Sequence, residues 1–271
     1  MSISSNINLT LELQVSSDEN ENQRNFDFLQ KIQPLAVYVP FGAGGNQQQG
    51  DWLGFVDHIQ NQLQIPVVPH LTGYYQTQAA ILDQVEKLRL LNINQLLVLR
   101  GDAINGQQSS NEFPHASDLI QLIKSIAPEF KINGACYPEG HYEAPSLAVD
   151  IQNLKHKVSA GCDELVTQVE FDNTTIIEFF KRVRATGIRV PIRVGILPVL
   201  DRTRVQKLIQ LTHVKVPQRL ADIMEVEDPE RFTTLGCQFT NDQLADLTSH
   251  GIDNIHLYSL NNPVVFQSLI D

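Results

Sequence analysis

The chain has few cysteines and no long hydrophobic run. These two shortages argue against a disulfide-bonded, a metal-binding and a membrane-spanning protein. Three cysteines occur among 271 residues; the number is odd, and no two of them lie at metal-ligand spacing. No apolar run approaches the roughly 20 residues that a membrane-spanning helix needs. Residues Met1 to Asn8 lack the basic and then apolar pattern of a secretory signal. We therefore expect a cytoplasmic protein with reduced thiols, no bound metal and no membrane partner.

Positive charge is also scarce. The sequence contains 20 Lys and Arg against 31 Asp and Glu, which gives a formal net charge of −11. Such an acidic surface repels a phosphate backbone, so nucleic acid is excluded as a partner. A hydrophobic content of 42% with 19% charged residues is typical of a globular protein that buries a large core.

Strand-like runs alternate with helical patterns along the whole sequence. We count eight successive β-then-α units, and eight such units favour closure into a barrel over an open sheet. The length of 271 residues is close to the ~250 residues of a typical TIM barrel. No Ser-, Gly- or Pro-rich linker divides the chain. The sequence therefore predicts an α/β fold, a single (β/α)8 TIM barrel, with residues 1–271 as one catalytic domain.

Polar groups follow two predicted strands at the point where each strand ends. The apolar run from Leu96 leads directly into Arg100, Gly101 and Asp102, and the run Lys131 to Cys136 leads into Tyr137 and His141 in a similar way. The carboxyl ends of parallel barrel strands are where α/β barrels carry their active sites. We therefore expect these groups to contribute to one site.

Glu12 lies within a predicted strand and is a candidate general acid. Leu9, Leu11 and Leu13 share one face of this strand, so Glu12 lies on the other face and would point into the barrel. Burial there is expected to raise the pKa of the carboxyl group, which suits proton donation near neutral pH. The alternative is a structural ion pair between Glu12 and a basic side chain.

Gln168 shares strand parity with Val166 and Glu170, and an interior Gln can both donate to and accept from the edge of a heterocycle. A buried Gln that bonds to neighbouring backbone is the alternative.

His70 and His141 also end strands. Each fits either a ligand contact or a satisfied core residue, because no second metal ligand accompanies them.

Asp150, Asn153 and Lys157 share one face of a predicted helix, at spacings i, i+3 and i+7. Such a face could bind ribose hydroxyls and a pyrophosphate, or it could be solvated. The spacing alone favours the solvated interpretation.

Taken together, these segments resemble the methylenetetrahydrofolate reductase family over nearly the whole chain. The most specific matches are Pro69-His70-Leu71-Thr72, Leu99-Arg100-Gly101-Asp102, and Tyr137-Pro138-Glu139-Gly140-His141 followed by Glu143-Ala144-Pro145-Ser146. Further matches are Thr167-Gln168 with Phe171-Asp172, Gly195-Ile196-Leu197-Pro198 and His256-Leu257-Tyr258-Ser259-Leu260-Asn261. The resemblance implies a TIM barrel that binds FAD at the carboxyl ends of its strands. It also implies that hydride passes from NAD(P)H through FAD to methylenetetrahydrofolate, which becomes methyltetrahydrofolate.

The resemblance also implies a role for each matching residue. Glu12, in Leu11-Glu12-Leu13, would be the general acid that opens the folate ring, and Asp102 would stabilise the resulting cation between flavin and folate. Gln168 would bind the pterin, with Arg204 and Asn262 at further substrate-binding positions. The implied FAD contacts are Ala43, His70, Arg100, Gly101, Asp102, His115, Ala116, Tyr137, His141, Ala144, Asp150, Asn153, His156 and Lys157.

The chain departs from the family pattern at several of these positions. Pro40 replaces a Thr and thereby lacks a hydroxyl and a backbone donor for the nicotinamide cofactor. Asn46 to Gln49 replace a loop that usually contains Arg, and Asn262 replaces an Arg that would pair with the distal folate carboxylates. The remaining departures are His115 for Tyr, His156 for a basic residue, Arg204 for a Gln and Leu208 for a Phe.

These departures leave two alternatives to the leading prediction. One is a divergent paralogue with a different pterin substrate or electron donor, such as a partner flavoprotein or ferredoxin-like protein. The other is a non-enzymatic flavin- or folate-binding protein. The expected ligand in each case is a folate-type small molecule or a flavin, and the sequence leaves open a homo-oligomer or an electron-donor partner protein.

Overall fold

Eight parallel strands form a closed barrel in the order of the sequence, and β8 pairs with β1 to complete it. This computed structural model describes residues 7–40, 51–103, 108–259, 261, 262 and 265. The architecture confirms the predicted TIM barrel. The strands are β1 Asn8–Glu12, β2 Ala36–Val39, β3 Val67–Thr72, β4 Gln95–Leu99, β5 Lys131–Cys136, β6 Glu164–Thr167, β7 Ile192–Ile196 and β8 Asn254–Tyr258.

Helices surround the barrel and connect successive strands. They are α1 Glu19–Ile32, α2 Trp52–Asp57, α3 Gln78–Leu90, α4 Ala116–Ile126, α5 Leu147–Ser159, α6 Asn173–Ala185, α7 Arg202–Thr212, α8 Gln218–Met224 and α9 Pro229–Ser249, and α2 continues as a π-helical turn over His58–Gln62. Within the described part of the chain, none of these helices combines the length and the apolar character that crossing a membrane requires.

Three elements, β1, β6 and α9, differ most from the residue patterns in the sequence, which predict strands over Leu9 to Val15 and Leu165 to Phe171 and a helix over Thr240 to His250. Strand β1 ends at Glu12 rather than at Val15, and β6 ends at Thr167 rather than at Phe171. Beyond β6 the chain turns where Oε1 of the Glu170 carboxyl group accepts hydrogen bonds from the backbone N–H groups of Phe171 and Asp172. Side-chain caps of this kind compete with strand pairing.

Helix α9 is much longer than the Thr240 to His250 segment that the sequence predicts. It begins at Pro229, after Asp228, whose side chain accepts hydrogen bonds from the N–H groups of Glu230 and Arg231. Proline at the first helical position after an Asp cap is a strong start signal. This helix packs its buried face, which includes Phe239, beside Phe171 in the loop after β6.

The core has two layers. The outward faces of the strands pack against the helices, while a smaller apolar cluster fills the barrel interior with Ala36, Tyr38, Val68, Leu97 and Val166. Polar side chains extend this interior towards the amino ends of the strands. There, Glu164 is buried and pairs with Arg193 at 2.9 Å and with Lys131 at 2.6 Å. These side chains close the barrel at the amino ends of the strands. A cavity within the barrel can therefore form at the opposite end, at the carboxyl ends of the strands.

Candidate active site

A cavity of about 680 Å³ lies at the carboxyl ends of the strands. Its walls come from the ends of β1, β3, β4, β5, β6 and β8 and from helices α4, α5 and α7. Its volume falls within the range of about 300–1,000 Å³ that small-molecule and cofactor sites occupy. This is also the end of the barrel at which TIM-barrel enzymes place their chemistry.

The cavity collects most of the residues that the sequence singles out. Those that line it are Glu12, His70, Arg100, Gly101, Asp102, His115, Ala116, Tyr137, His141, Ala144, Asp150, Asn153, His156, Lys157 and Gln168. Ala43 lies outside the described residues.

Arg204 and Asn262 are not among the described residues that line the cavity. Arg204 lies on α7 and pairs with Asp201 at 3.2 Å. Asn262 is buried, and its backbone N–H donates to the Ser259 carbonyl oxygen at 3.0 Å. Helix α7 instead presents the side chains of Leu208, Leu211 and Thr212 to the cavity.

Glu12 ends β1 and faces the cavity, with 9% of the residue exposed. Leu11 and Leu13, on the opposite face, are fully buried in the layer between barrel and helices, so the predicted alternation is confirmed. Two hydrogen bonds hold the peptide group that joins Glu12 to Leu13. The Leu13 N–H donates to the Tyr38 carbonyl at 2.9 Å, and the Ser259 hydroxyl donates to the Glu12 carbonyl at 2.5 Å.

Two buried histidines flank the Glu12 carboxyl group. Its Oε2 atom lies 3.7 Å from His70 Nε2 and 3.9 Å from His256 Nε2. Burial lowers the pKa of His70 to about 4, and burial also holds the pKa of His256 below its usual value, although the charge of Glu12 opposes both shifts. Burial therefore favours the neutral form of both rings near pH 7. A neutral ring disfavours the ion pair that the sequence leaves open as the alternative for Glu12.

The loop after β4 brings Arg100, Gly101 and Asp102 to the rim. The Arg100 guanidinium donates two hydrogen bonds to the Glu143 carboxylate, at 2.5 and 3.0 Å. Gly101 adopts a φ of +89°, a conformation that favours glycine. Burial raises the pKa of Tyr137 above its usual range, and the negative charge of nearby Asp102 adds to that shift. The Asp102 carboxylate and the Tyr137 phenol thus face the same part of the cavity.

The helix face formed by Asp150, Asn153 and Lys157 lines the cavity wall. Asp150 accepts a hydrogen bond from the His141 N–H at 3.1 Å, and burial raises the pKa of this carboxyl group. The Lys157 ammonium donates to the Ala135 carbonyl at 2.5 Å, and burial lowers the pKa of this amine. Although the spacing alone favours a solvated face, this face is directed at the cavity.

Gln168 follows β6 directly and is half-buried at the cavity wall. Its backbone N–H donates to the Cys136 carbonyl at 2.8 Å, which extends the β5–β6 pairing by one residue. Its side-chain oxygen accepts a hydrogen bond from the Val169 N–H at 2.8 Å. The contact to neighbouring backbone, which the sequence leaves open as the alternative, is therefore present in a residue that also faces the cavity.

The cavity also contains Tyr258 and Glu143, to which the sequence prediction assigns no role. Tyr258 lines the cavity and donates its hydroxyl to the Thr167 carbonyl at 3.1 Å. Its parity with His256 on β8 could have indicated this orientation. Glu143, the partner of Arg100, precedes Ala144 in a segment already selected. Its pairing could not be found from the sequence, because the two residues are far apart in the chain.

Neither ring nitrogen of His70 has a hydrogen-bond partner among the described residues, although only 5% of the residue is exposed. Buried polar atoms are usually paired, and an unpaired one indicates a ligand or water that would form the missing hydrogen bond.

Helix α4 also begins at the cavity, with His115, Ala116 and Ser117 in the wall. The N–H groups of a first helical turn form a favourable site for an anion such as a phosphate.

Comparison with known proteins gives a consistent result. Residues 5–271 match the family described as methylenetetrahydrofolate reductase. The chain is 31% identical to the 5,10-methylenetetrahydrofolate reductases of Pectobacterium carotovorum and Escherichia coli K12, over 94% of this chain and 86% of each relative. It is also 31% identical to methylenetetrahydrofolate reductase (NADH) 1 of Arabidopsis thaliana, over 87% of this chain and 42% of that protein.

Among solved structures, an uncharacterized protein from Clostridium thermocellum that binds two copies of 5-methyl-5,6,7,8-tetrahydrofolic acid shares the fold. Its TM-score is 0.67 with 14% sequence identity, and the alignment covers 96% of this chain and 92% of that one.

Proposed function

The chain belongs to the methylenetetrahydrofolate reductase family, and from this premise we propose that it binds FAD in the barrel cavity and uses NAD(P)H to reduce methylenetetrahydrofolate to methyltetrahydrofolate. Its relatives are named as reductases, so the chain is an oxidoreductase. One observation carries the proposal: the Glu12 carboxyl group lies in the cavity between two histidines whose neutral form is favoured by burial.

The residues of the cavity fit a dinucleotide with a flat ring system. The unpaired nitrogens of His70 need a polar partner, and the start of α4 offers backbone N–H groups to a pyrophosphate. Asp150, Asn153 and Lys157 provide a wall of polar groups that suits ribose hydroxyls and phosphate oxygens. In this proposal His70, Arg100, Gly101, Tyr137 and His141 hold the rest of the cofactor. When bound there, FAD would supply the two-electron chemistry between NAD(P)H and the folate.

Glu12 would supply the proton. Protonation of the nitrogen that bridges the folate ring opens the five-membered ring and leaves a cationic iminium carbon on the substrate, which then accepts the hydride equivalent. Ser259 and Tyr38 bind the peptide group between Glu12 and Leu13, so the backbone that carries the acid is fixed before the substrate arrives. A preorganised donor of this kind needs little rearrangement in the transition state.

Asp102 and Gln168 would also contact the substrate, the first through its charge and the second through a hydrogen bond. The Asp102 carboxylate is exposed in the cavity, where its negative charge would stabilise the developing cation. The Gln168 amide would hydrogen bond to the edge of the pterin, and the contact of its oxygen to the Val169 N–H directs the amide group. Arg204 and Asn262 would reach only the outer part of the folate, since neither lines the cavity in the described part of the chain.

Three spectra test this function. The protein purified with added FAD should show the visible absorption of a bound flavin. NADH or NADPH should bleach that absorption without oxygen, and methylenetetrahydrofolate should restore it. A protein that takes up no FAD, or a bleached protein that the folate fails to reoxidise, would refute the proposal.

Pro40 favours a second candidate, the same folate chemistry with a different electron donor. Pro40 lines the cavity and has no backbone N–H to offer a nicotinamide, while its carbonyl oxygen accepts a hydrogen bond from the Trp52 indole at 3.1 Å. In that case neither NADH nor NADPH would bleach the flavin, whereas dithionite followed by the folate would still give one turnover. Ordinary turnover with either nicotinamide removes this candidate.

A further inference from the structure

Thr10 and His256 contact each other directly beneath the proposed acid. They are register partners on β1 and β8, and Thr10 Oγ1 lies 3.0 Å from His256 Nδ1. Both residues are buried, with 2% and 1% exposed. The family resemblance assigns no role to either residue, and the proposed function names His256 only as a neighbour of Glu12.

The hydrogen bonds around Thr10 indicate which ring nitrogen of His256 carries the proton. The Thr10 hydroxyl also lies 3.3 Å from the Ile255 carbonyl oxygen, which can only accept. If the hydroxyl donates its one hydrogen to that carbonyl, it can only accept from His256, so Nδ1 carries the hydrogen. This arrangement gives the Thr10 hydroxyl, the Ile255 carbonyl oxygen and Nδ1 of His256 a hydrogen-bond partner each, as is usual for buried groups.

The ring has no second proton to place on Nε2. Burial favours the neutral form of His256, as described above. The titratable and charged groups that face this ring or act on its charge come from six strands: Glu12, Tyr38, His70, Glu164, Arg193 and Tyr258. The negative charge of Glu164 and the positive charge of Arg193 act in opposite directions on the ring.

We propose that Thr10 fixes His256 in the Nδ1–H tautomer and that His256 is a positioning residue which presents a bare Nε2 to Glu12. Nε2 lies 3.9 Å from Glu12 Oε2. A lone pair on that side offers Glu12 no hydrogen-bond donor, so the carboxyl group is left to direct its acidic hydrogen at the substrate. The inference rests on the proposed function for its catalytic meaning, but the tautomer itself does not depend on that function.

Nitrogen NMR of the FAD-loaded protein labelled with 15N-histidine tests the tautomer directly. The two ring nitrogens of a neutral imidazole resonate far apart, and a His256→Gln sample identifies the resonances. We expect a protonated Nδ1 and a bare Nε2. A protonated Nε2 in the wild-type protein would overturn the inference, whether or not the protein reduces the folate.

Thr10→Val adds a functional readout. Valine fills the same space but leaves Nδ1–H without an acceptor, so the ring should switch to the Nε2–H tautomer, which favours the Glu12 carboxylate. Reoxidation of the reduced flavin by the folate should then slow about tenfold at neutral pH, the size expected for one misplaced hydrogen bond. The alkaline limb of its pH–rate profile should move to lower pH, while bleaching by the electron donor keeps its rate. Thr10→Ser should restore both tautomer and rate.

Thr240→Val is the matched control. Thr240 is also fully buried and its hydroxyl bonds to the Gly236 carbonyl, but it lies on α9, away from the cavity. We expect this variant to lose stability without a change in the His256 resonances or in the pH–rate profile. A Thr10→Val protein whose tautomer and pH profile match those of wild type would contradict the inference.

Discussion

Arg100 and Glu143 form a two-pronged ion pair at the rim of the cavity. Arg100 Nη1 lies 2.5 Å from Glu143 Oε2, and Nη2 lies 3.0 Å from Oε1. The pair joins the end of β4 to the loop between β5 and α5, two segments that carry proposed FAD contacts. It raises the pKa of Arg100 and lowers the pKa of Glu143. Its chief effect is on geometry, since an exposed ion pair contributes little to stability.

Glu143→Gln should therefore weaken FAD binding more than it weakens the fold. We expect the Kd for FAD to rise roughly fivefold, because Arg100 loses the carboxylate that orients it, and the free energy of unfolding to fall by less than about 1 kcal/mol. Flavin fluorescence titration measures the first and urea unfolding the second. Glu129→Gln is the control, because Glu129 forms a similar pair with Arg89 on the outer surface. Equal FAD affinities for the two variants would contradict the prediction.

Gly101 and Gly187 offer a matched pair of substitutions. Their φ angles are +89° and +88°, so alanine at either position costs about 1–2 kcal/mol of stability. At Gly101 an added Cβ would also meet the Thr72 side chain at 3.2 Å, next to the cavity, whereas at Gly187 it would meet nothing within 4 Å. Gly101→Ala should lose FAD affinity at least several-fold and Gly187→Ala should not, as titration of both proteins will show. Loss of affinity in both, or in neither, would argue against a close approach of the cofactor at Gly101.

His70→Phe should separate ligand binding from stability. The two unpaired ring nitrogens of His70 are a cost to the protein without its ligand, about 1–3 kcal/mol for a buried unpaired polar group. The apoprotein of the variant should thus be at least as stable as wild type. Its Kd for FAD should rise about tenfold, since the proposed partner of the cofactor is gone. An apoprotein that is destabilised while FAD binds normally would show that His70 serves the fold alone.

Glu170 should make the stability of the protein depend on pH. The residue is 1% exposed, and burial raises its pKa from 4.5 to about 7, with the negative charge of Glu139 adding to the shift. The folded state therefore holds this proton more tightly than the unfolded state does. The contribution of protonated Glu170 to stability is complete below about pH 4.5 and is lost as the pH rises through about 7. The free energy of unfolding should fall by about 3 kcal/mol at most over this range.

Urea unfolding of wild type and Glu170→Gln at several pH values measures this effect. The stability of the variant relative to wild type should increase by about 2 kcal/mol between about pH 5 and about pH 8. The exposed Glu178→Gln provides the control, because Glu178 pairs with Lys181 on the surface and should show little change over the same range. A constant difference between Glu170→Gln and wild type would mean that Glu170 is not protonated in the fold near neutral pH.

The barrel was predictable because its signals are local. Alternation in β1 places Glu12 on the inner face, and the repeated β-then-α pattern predicts eight strands that close in sequence order. The end of β6 was not predictable in the same way. Val169 and Phe171 continue an apolar strand pattern, but the Glu170 side chain binds the backbone and turns the chain after Thr167.

The sequence predicts which residues form the candidate site, but it does not predict how their side chains are oriented or which of them contact each other. The spacing of Asp150, Asn153 and Lys157 fits a solvated face as well as a cavity wall, and only the packing of α5 decides between them. The contact between Arg100 and Glu143 joins distant parts of the sequence, as does the pair of histidines around Glu12. Such contacts follow from the closed barrel and leave no local pattern in the sequence.

The half-reactions of Glu12→Gln test the central claim most directly. In a stopped-flow experiment, the variant should bind FAD and be bleached by the same donor as wild type. Its reoxidation by methylenetetrahydrofolate should be at least about 100-fold slower, since the acid that opens the folate ring is missing. Reoxidation at the wild-type rate would contradict the account, because the proton would then come from elsewhere.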